Sequence, residues 1–416
     1  MPRADVVVIG AGLAGLTCAA ELAERGASVF LAAKGMATTH WTHGGLDVAV
    51  ADGADTPRAA VGHLAMRDGH PYARLGGDVE AAVDAHLART AAAGLPHVGS
   101  VDASLVAVPT ALGTLRRAAI LPTAQAAALE PWTDEGLLLI GFDHYRDAWA
   151  PYAARNLGAG VWEQGPRDIR GVTVELPWLE RLNNLNATTL ARLFEDPVWR
   201  ARALAAIVAA VPSGRWRVAL PAVLGVASHA EIHAAVEEAI GARAFEVASL
   251  PPSVAGMRLF DALRHRIEAA GGRIQVGFEI SGVEREGRRI VAVQQAAAAR
   301  PLRLVADSFV LATGGIAGAG FRGRRDGTLE ETVLGLEVSA PPHEQWFSED
   351  PLVPHPLERA GIDVDDELRP AELDNVRVIG AALAGMHVLE ERCGDGVALA
   401  SAHRAAAGLA RARAAA

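Results

Sequence analysis

Apolar residues in this chain fall into two recurring patterns. Some form short continuous runs rich in Val, Ile and Leu, and others return every three or four positions over longer stretches. Runs of the first kind predict strands buried on both faces, and stretches of the second kind predict amphipathic helices. Asp5 to Ile9 predicts a strand, Leu16 to Arg25 a helix stopped by Gly26, and Ser28 to Ala33 a second strand. From Gly136 to Ala248 the two patterns alternate: strands at 137–142, 171–176, 216–220 and 244–248, helices at 145–157, 188–211 (broken at Pro197) and 228–240. Met257 to Ala270 predicts another helix, ending at Gly271-Gly272. Strands are then expected at 274–278, around Val283 and at 290–293. Phe309 to Ala312 and Asn375 to Gly380 read as the last strands, and a final helix opens at Val397. Such alternation predicts an α/β protein. The change of pattern at Gly136 divides it into a discontinuous domain, 1–135 with 250–416, and an α/β lobe inserted over 136–249.

Composition narrows the function. The chain has 416 residues and a net charge of −10 with no basic tract, which disfavours a nucleic-acid partner. Two cysteines, Cys18 and Cys393, cannot build a disulfide framework, a zinc site or a cysteine-ligated iron–sulfur cluster, so no metal site is expected. The run from Val6 to Ala20 imitates the apolar part of a signal peptide, but Arg3 and Asp5 flank it and glycines interrupt it. With no longer apolar stretch to span a bilayer, the expectation is a cytoplasmic protein. Of its 39 basic Lys and Arg residues a single one, Lys34, is lysine.

The chemistry begins at the first strand. Gly10, Gly12 and Gly15 form G-x-G-x-x-G between strand and helix, with Leu13 and Ala14 at the helix start. Gly10 permits the tight turn, Gly12 lets backbone approach a pyrophosphate, and Gly15 lets helix and strand pack closely. The helix N-terminus offers its free N–H groups to phosphate. This is a dinucleotide motif in its proper context, and it points to FAD. The acid that should take the ribose hydroxyls at the end of the second strand is absent; Ala32, Ala33 and Lys34 stand there. A cation at Lys34 cannot accept a hydrogen bond from ribose but can pair with a phosphate, including the 2′-phosphate of NADPH, or with a carboxylate. Two later segments favour a flavin over a nicotinamide. Thr313-Gly314-Gly315 ends a strand with bare backbone beside a flat ligand, and Gly394-Asp395-Gly396-Val397 opens a helix whose N-terminus would stabilise charge on a reduced ring. Gly380 ends the strand between them.

These pieces together resemble the flavoprotein superfamily of fumarate reductase and succinate dehydrogenase. That resemblance implies a discontinuous Rossmann-like flavin-binding domain with an inserted α/β capping lobe. The ordered set 40–47 (HWTHGGLD), 112–116 (LGTLR), 250–259 (LPPSVAGMRL), 334–336 (LGL) and 368–370 (LRP) further resembles the B subunits of anaerobic glycerol-3-phosphate dehydrogenases. The resemblance implies a flavin, usually described there as FMN, and a respiratory enzyme oxidising glycerol 3-phosphate to dihydroxyacetone phosphate. It also implies two partners, a large subunit carrying FAD and a membrane-anchoring iron–sulfur subunit that leads to quinone. The complex would lie on the cytoplasmic face of the inner membrane.

Within the matched motifs, His40, Gly44 and Gly45 are expected at the flavin, and Arg258, near a helix start, to aim a positive charge at flavin, phosphate or carboxylate. His40 and Arg258 are therefore the candidate catalytic residues, with a small-molecule substrate possible. Arg116 and Arg369 are weaker candidates of the same kind, His43 reads as an ordinary loop residue, and Ser253 reads as a helix cap. Two alternatives stay open: a stand-alone flavin oxidoreductase of the fumarate reductase type, and a non-catalytic assembly subunit.

Overall fold

A computed structural model describes residues 3–176, 179, 185–295 and 302–415. The central element is the strand Leu302–Leu311, which is used on both edges. Along one edge it lies parallel to Arg3–Ile9, with Ile9 opposite Leu311. On the other edge its first half runs antiparallel to Arg289–Gln295 and its second half parallel to Val376–Val378. The sheet extends through Val29–Ala33 to Arg273–Val276 on one side and to Ile280–Glu286 on the other, seven strands in all. Val6, Val7 and Val8 are buried on both faces, which is why this strand reads as unbroken apolar sequence. Helices Leu13–Glu24, Val79–Ala92, Val254–Ala269 and Gly394–Ala415 pack on one another as a layer against the sheet.

A second sheet has four parallel strands in the order Ala244–Val247, Trp216–Pro221, Gly136–Phe142, Ile169–Val174. Its core, with Leu138, Phe194, Trp199 and Ile232, is separate from that of the first sheet. Several element limits differ from expectation for local reasons. The helix expected from Tyr145 starts at Ala150, because His144 takes φ +62 in a turn and Pro151 then sits in the first helical turn, where its missing N–H is harmless. The helix expected from Met257 starts at Val254, capped by Ser253, whose hydroxyl accepts from Gly256 N at 3.1 Å. The final helix starts at Gly394, three residues ahead of Val397.

Helix Val254–Ala269 joins the two cores. Val254 packs in the core of the four-stranded lobe, while Leu259, Phe260, Leu263 and Ile267 pack in that of the larger sheet. At the crossing point Arg258 is buried and pairs with Glu246 of the lobe. It also donates to the Gly225 carbonyl, from Nε at 2.9 Å and Nη2 at 2.6 Å. Burial alone would raise the Glu246 carboxyl, but the Arg258 charge and hydrogen bonds hold it below the usual range. Removing one partner leaves the other charge buried and uncompensated. Glu246→Ala is therefore expected to cost about 3–5 kcal/mol in urea denaturation, while Arg258→Met with Glu246→Leu should recover most of that loss.

Candidate flavin site

The glycine turn is built against the end of the central strand. Gly10 has φ +114, and a Cβ there would lie 2.2 Å from the Ala312 carbonyl oxygen. A Cβ on Gly15 would lie 2.1 Å from the Gly10 carbonyl oxygen. Gly12 is different, since a Cβ there meets nothing nearer than the Ala37 Cβ at 3.9 Å. No side chain caps the helix it starts, so the N–H groups of Leu13, Ala14 and Gly15 have no side-chain partner in front of that open space. Thr313 Oγ1 is buried nearby with no hydrogen-bond partner, and Gly380 sits on Ala14, where its own Cβ would come within 2.8 Å. Gly314 follows with φ +77, and a Cβ on Gly315 would fall 2.8 Å from the Ala381 carbonyl oxygen. The segments around 10–15, 313–315 and 380 thus meet at one place. An open backbone cradle, an uncapped helix end and an orphaned hydroxyl fit a pyrophosphate.

The loop after the second strand is set by helix Val254–Ala269. Ser253 N donates to the His40 carbonyl at 2.8 Å, a Cβ on Gly256 would strike the Thr39 carbonyl oxygen at 2.1 Å, and one on Gly44 would strike Ala255. His40 packs edge-on against Phe260, with its Nε2 buried and unbonded and its pKa lowered chiefly by burial. Gly45 packs against Ile120 and Leu121. Arg258 stands one turn into the same helix, with its charge directed to Glu246 and Gly225 rather than to the glycine turn.

The charged centre of the site lies elsewhere. A cavity of about 550 Å³ is lined by Trp41, His43, Asp47, Thr110, Arg116, Arg392 and Asp395, among others. The loop and the last helix are stitched together here: Asp47 N donates to Asp395 Oδ2 at 2.9 Å, and Asp395 N and Gly396 N donate back to the Asp47 carbonyl at 3.2 and 3.3 Å. Gly396 is needed for this closure, because a Cβ would run into the Tyr72 hydroxyl and the Val48 carbonyl; Val397 behind it is fully buried. Gly394 abuts Val388. Below the helix end, Glu391 accepts from Arg67 Nη1 at 2.8 Å and His387 N at 2.8 Å, and pairs with His70 Nε2 at 3.2 Å. Tyr72 N donates to His70 Nδ1, which leaves the proton on Nε2 for Glu391.

The two carboxylates are pushed apart. Burial would raise Asp47, but the His43 hydrogen bond, Arg116 and Arg392 bring it down to about 2. Asp395 is raised to about 7, first by burial and then by the Asp47 charge. His43 is lowered by burial; its Nδ1 accepts from Gly45 N at 3.0 Å and its Nε2 faces Asp47 Oδ2 at 3.4 Å. Arg392 holds φ +42, outside the usual range for a side chain of its size, where the loop turns into the helix. Asp47, His43 and Arg392 are thus functional candidates that pattern reading missed. Asp47 lies inside the His40–Asp47 motif, which was the available signal, whereas nothing local marks Arg392. Arg369, by contrast, is engaged on the surface with Asp365 at 2.8 Å.

A family model described as FAD binding domain matches residues 5–397. The probable B subunit of the anaerobic glycerol-3-phosphate dehydrogenase of Halobacterium salinarum (strain ATCC 29341 / DSM 671 / R1) is 35% identical, over 97% of each chain. The B subunit of the enzyme of that name from Yersinia enterocolitica serotype O:8 / biotype 1B is 31% identical, over 96% of each chain. The chain belongs to the family of anaerobic glycerol-3-phosphate dehydrogenase B subunits. Among solved structures, a 3-ketosteroid delta1-dehydrogenase from Sterolibacterium denitrificans aligns over 99% of this chain and 100% of its own, with TM-score 0.48 and 12% identity. Like its family, the chain is a flavin-dependent oxidoreductase, and the cofactor is FAD, which decides between the two flavins left open by the sequence.

Two outcomes test this site. Gly12→Ala is expected to leave the flavin-free protein within about 1 kcal/mol of wild type while weakening FAD binding in a fluorescence titration. Gly15→Ala should destabilise the protein itself by roughly 1–3 kcal/mol. Between about pH 4 and pH 7 the folded protein keeps a proton on Asp395 that an unfolded chain, with an ordinary aspartate, gives up. The contribution of Asp395 to stability therefore falls as pH rises through that window. Asp395→Asn is expected to remove that fall, gaining about 2–4 kcal/mol over wild type at pH 8 and nothing at pH 4, as read by denaturation at each pH.

Proposed function

We propose that this chain is the flavoprotein subunit of a respiratory anaerobic glycerol-3-phosphate dehydrogenase. It passes electrons from oxidation of glycerol 3-phosphate to dihydroxyacetone phosphate towards quinone, through an iron–sulfur partner. In this reading Gly10 to Gly15 with Lys34, Thr313 to Gly315 and Gly380 hold the dinucleotide. His40, Gly44, Gly45 and the helix end Gly394 to Val397 border the ring. Bound FAD supplies a carrier that accepts two electrons and can release them singly. The partners are an FAD-containing large subunit and a membrane-anchoring iron–sulfur subunit, and they place the complex on the cytoplasmic face of the membrane. Among the described residues no helix is long and apolar enough to cross a membrane; in this reading the chain meets the bilayer through a partner.

The observation that carries the reading is the Asp47–Asp395 pair at the mouth of the last helix. Alcohol oxidation and flavin turnover both move protons, and the pair holds one carboxyl ionised and the other poised near neutrality. Arg116 and Arg392 border the same cavity and suit an anionic partner group. Both cysteines are buried with raised pKa, so neither offers a thiolate nucleophile to the site.

Purified chain incubated with FAD is expected to show bound flavin absorbance, and heat should release it as FAD. In the reconstituted three-subunit complex, glycerol 3-phosphate should reduce a quinone analogue, and Asp395→Asn should lower that rate about 10²-fold. Unchanged quinone reduction by a complex lacking this chain would overturn the reading.

A further inference from the structure

The end of the second strand has no acid of its own, yet a carboxylate stands there. Val276 is paired with Ala33 in the register of the neighbouring strand, and Phe278 N donates to the Ala33 carbonyl at 2.9 Å. The Phe278 ring is buried and meets Phe30 edge-on at 5.8 Å. These two contacts fix the residue that follows, Glu279, beside Lys34. The only lysine of the chain donates to Glu279 Oε1 at 2.7 Å. The second carboxylate oxygen, Oε2, has no hydrogen-bond donor among the described residues. Both side chains are open to solvent, Lys34 at 76% and Glu279 at 61%. An exposed pair of this kind contributes little to stability and leaves the carboxylate accessible to a ligand.

The position carries a meaning of its own. In an open parallel sheet a dinucleotide lies across the carboxyl ends of adjacent strands. Here the ends of Arg3–Ile9, Val29–Ala33 and Arg273–Val276 lie side by side; Gly10 N donates to the Ala32 carbonyl at 2.8 Å. A ligand whose pyrophosphate rests on Gly12 therefore has its adenosine directed along these ends, towards Lys34 and Glu279. We propose that Glu279, oriented by Lys34, accepts the hydrogen bonds of the adenosine ribose hydroxyls of FAD, in place of an acid on the second strand. The proposal rests on FAD being the cofactor. It gives the lysine an indirect part, as the residue that positions Glu279, and leaves no 2′-phosphate role for it.

The test compares FAD with flavin 2′-deoxyadenine dinucleotide in titrations of the flavin-stripped full-length chain. Wild type is expected to bind the deoxy compound about tenfold more weakly, since a hydroxyl donating to a carboxylate is lost. Glu279→Gln should bind FAD about tenfold more weakly and distinguish the two compounds less than twofold. Lys34→Ala should show a partial loss of about threefold with FAD. Because Glu279 is exposed, the melting temperature of the stripped Glu279→Gln protein should match wild type, which separates a binding effect from a folding one. Unchanged FAD affinity in Glu279→Gln, or an undiminished preference for FAD over the deoxy compound, would overturn the assignment. A wild-type chain that takes up neither compound would instead overturn the cofactor reading on which it rests.

Discussion

The flavin end of this molecule depends on the first two turns of helix Val254–Ala269. There a buried guanidinium, Arg258, is matched to Glu246 and to the Gly225 carbonyl of the inserted lobe. A desolvated charge is tolerable only if its partners are in place, so the pair sets how the lobe meets the larger sheet. The same helix start carries the loop that borders the charged cavity, because Ser253, Ala255 and Gly256 touch His40, Gly44 and Thr39. The lobe and the loop are thus referred to one rigid element.

A second constraint acts across the cavity. The reciprocal backbone and carboxylate bonds between Asp47 and Asp395 bring a residue near the start of the chain against one near its end. They also confine two acids in one desolvated place. His43, Arg116 and Arg392 surround Asp47 and keep it charged, while burial first, and then that charge, raise Asp395. Closing the fold and tuning the acid pair are therefore the same event. The cavity that results is bordered by the loop, the Thr110–Thr114 turn and the last helix, so none of these segments contains the site alone.

How much of this was readable depended on range. The glycine turn announces itself because its requirements are local: a bare backbone, a tight turn and a helix start within six residues. The alternating lobe was readable for a similar reason, since each strand and helix there has a clean period. The stretch from 48 to 135 gave little, and the structure puts helices at Pro57–Ala65 and Val79–Ala92 there. Val79–Ala92 buries polar His86, Arg89 and Thr90 beside its alanines, which blurs the apolar stripe that pattern reading needs. In sequence Arg258 reads as a charge awaiting a ligand, but its partner, Glu246, is twelve residues back and meets it only in the folded lobe. His40 reads in sequence as the functional histidine of its loop and His43, three residues on, as an ordinary one, yet His40 faces Phe260 and His43 the acid pair.

By itself, then, the sequence determined the α/β class, the dinucleotide turn at Gly10–Gly15 and the family, because each rests on short-range pattern or on ordered motifs. Only the tertiary structure decided which charged residues meet at the cavity and which are engaged in holding the fold together. The state of a charge depends on what burial brings beside it, and that information is spread over the whole chain. The solitary Lys34 shows the division: its place at the end of the second strand is a sequence fact, while Glu279, 245 residues away, is its neighbour only because two strand ends lie side by side.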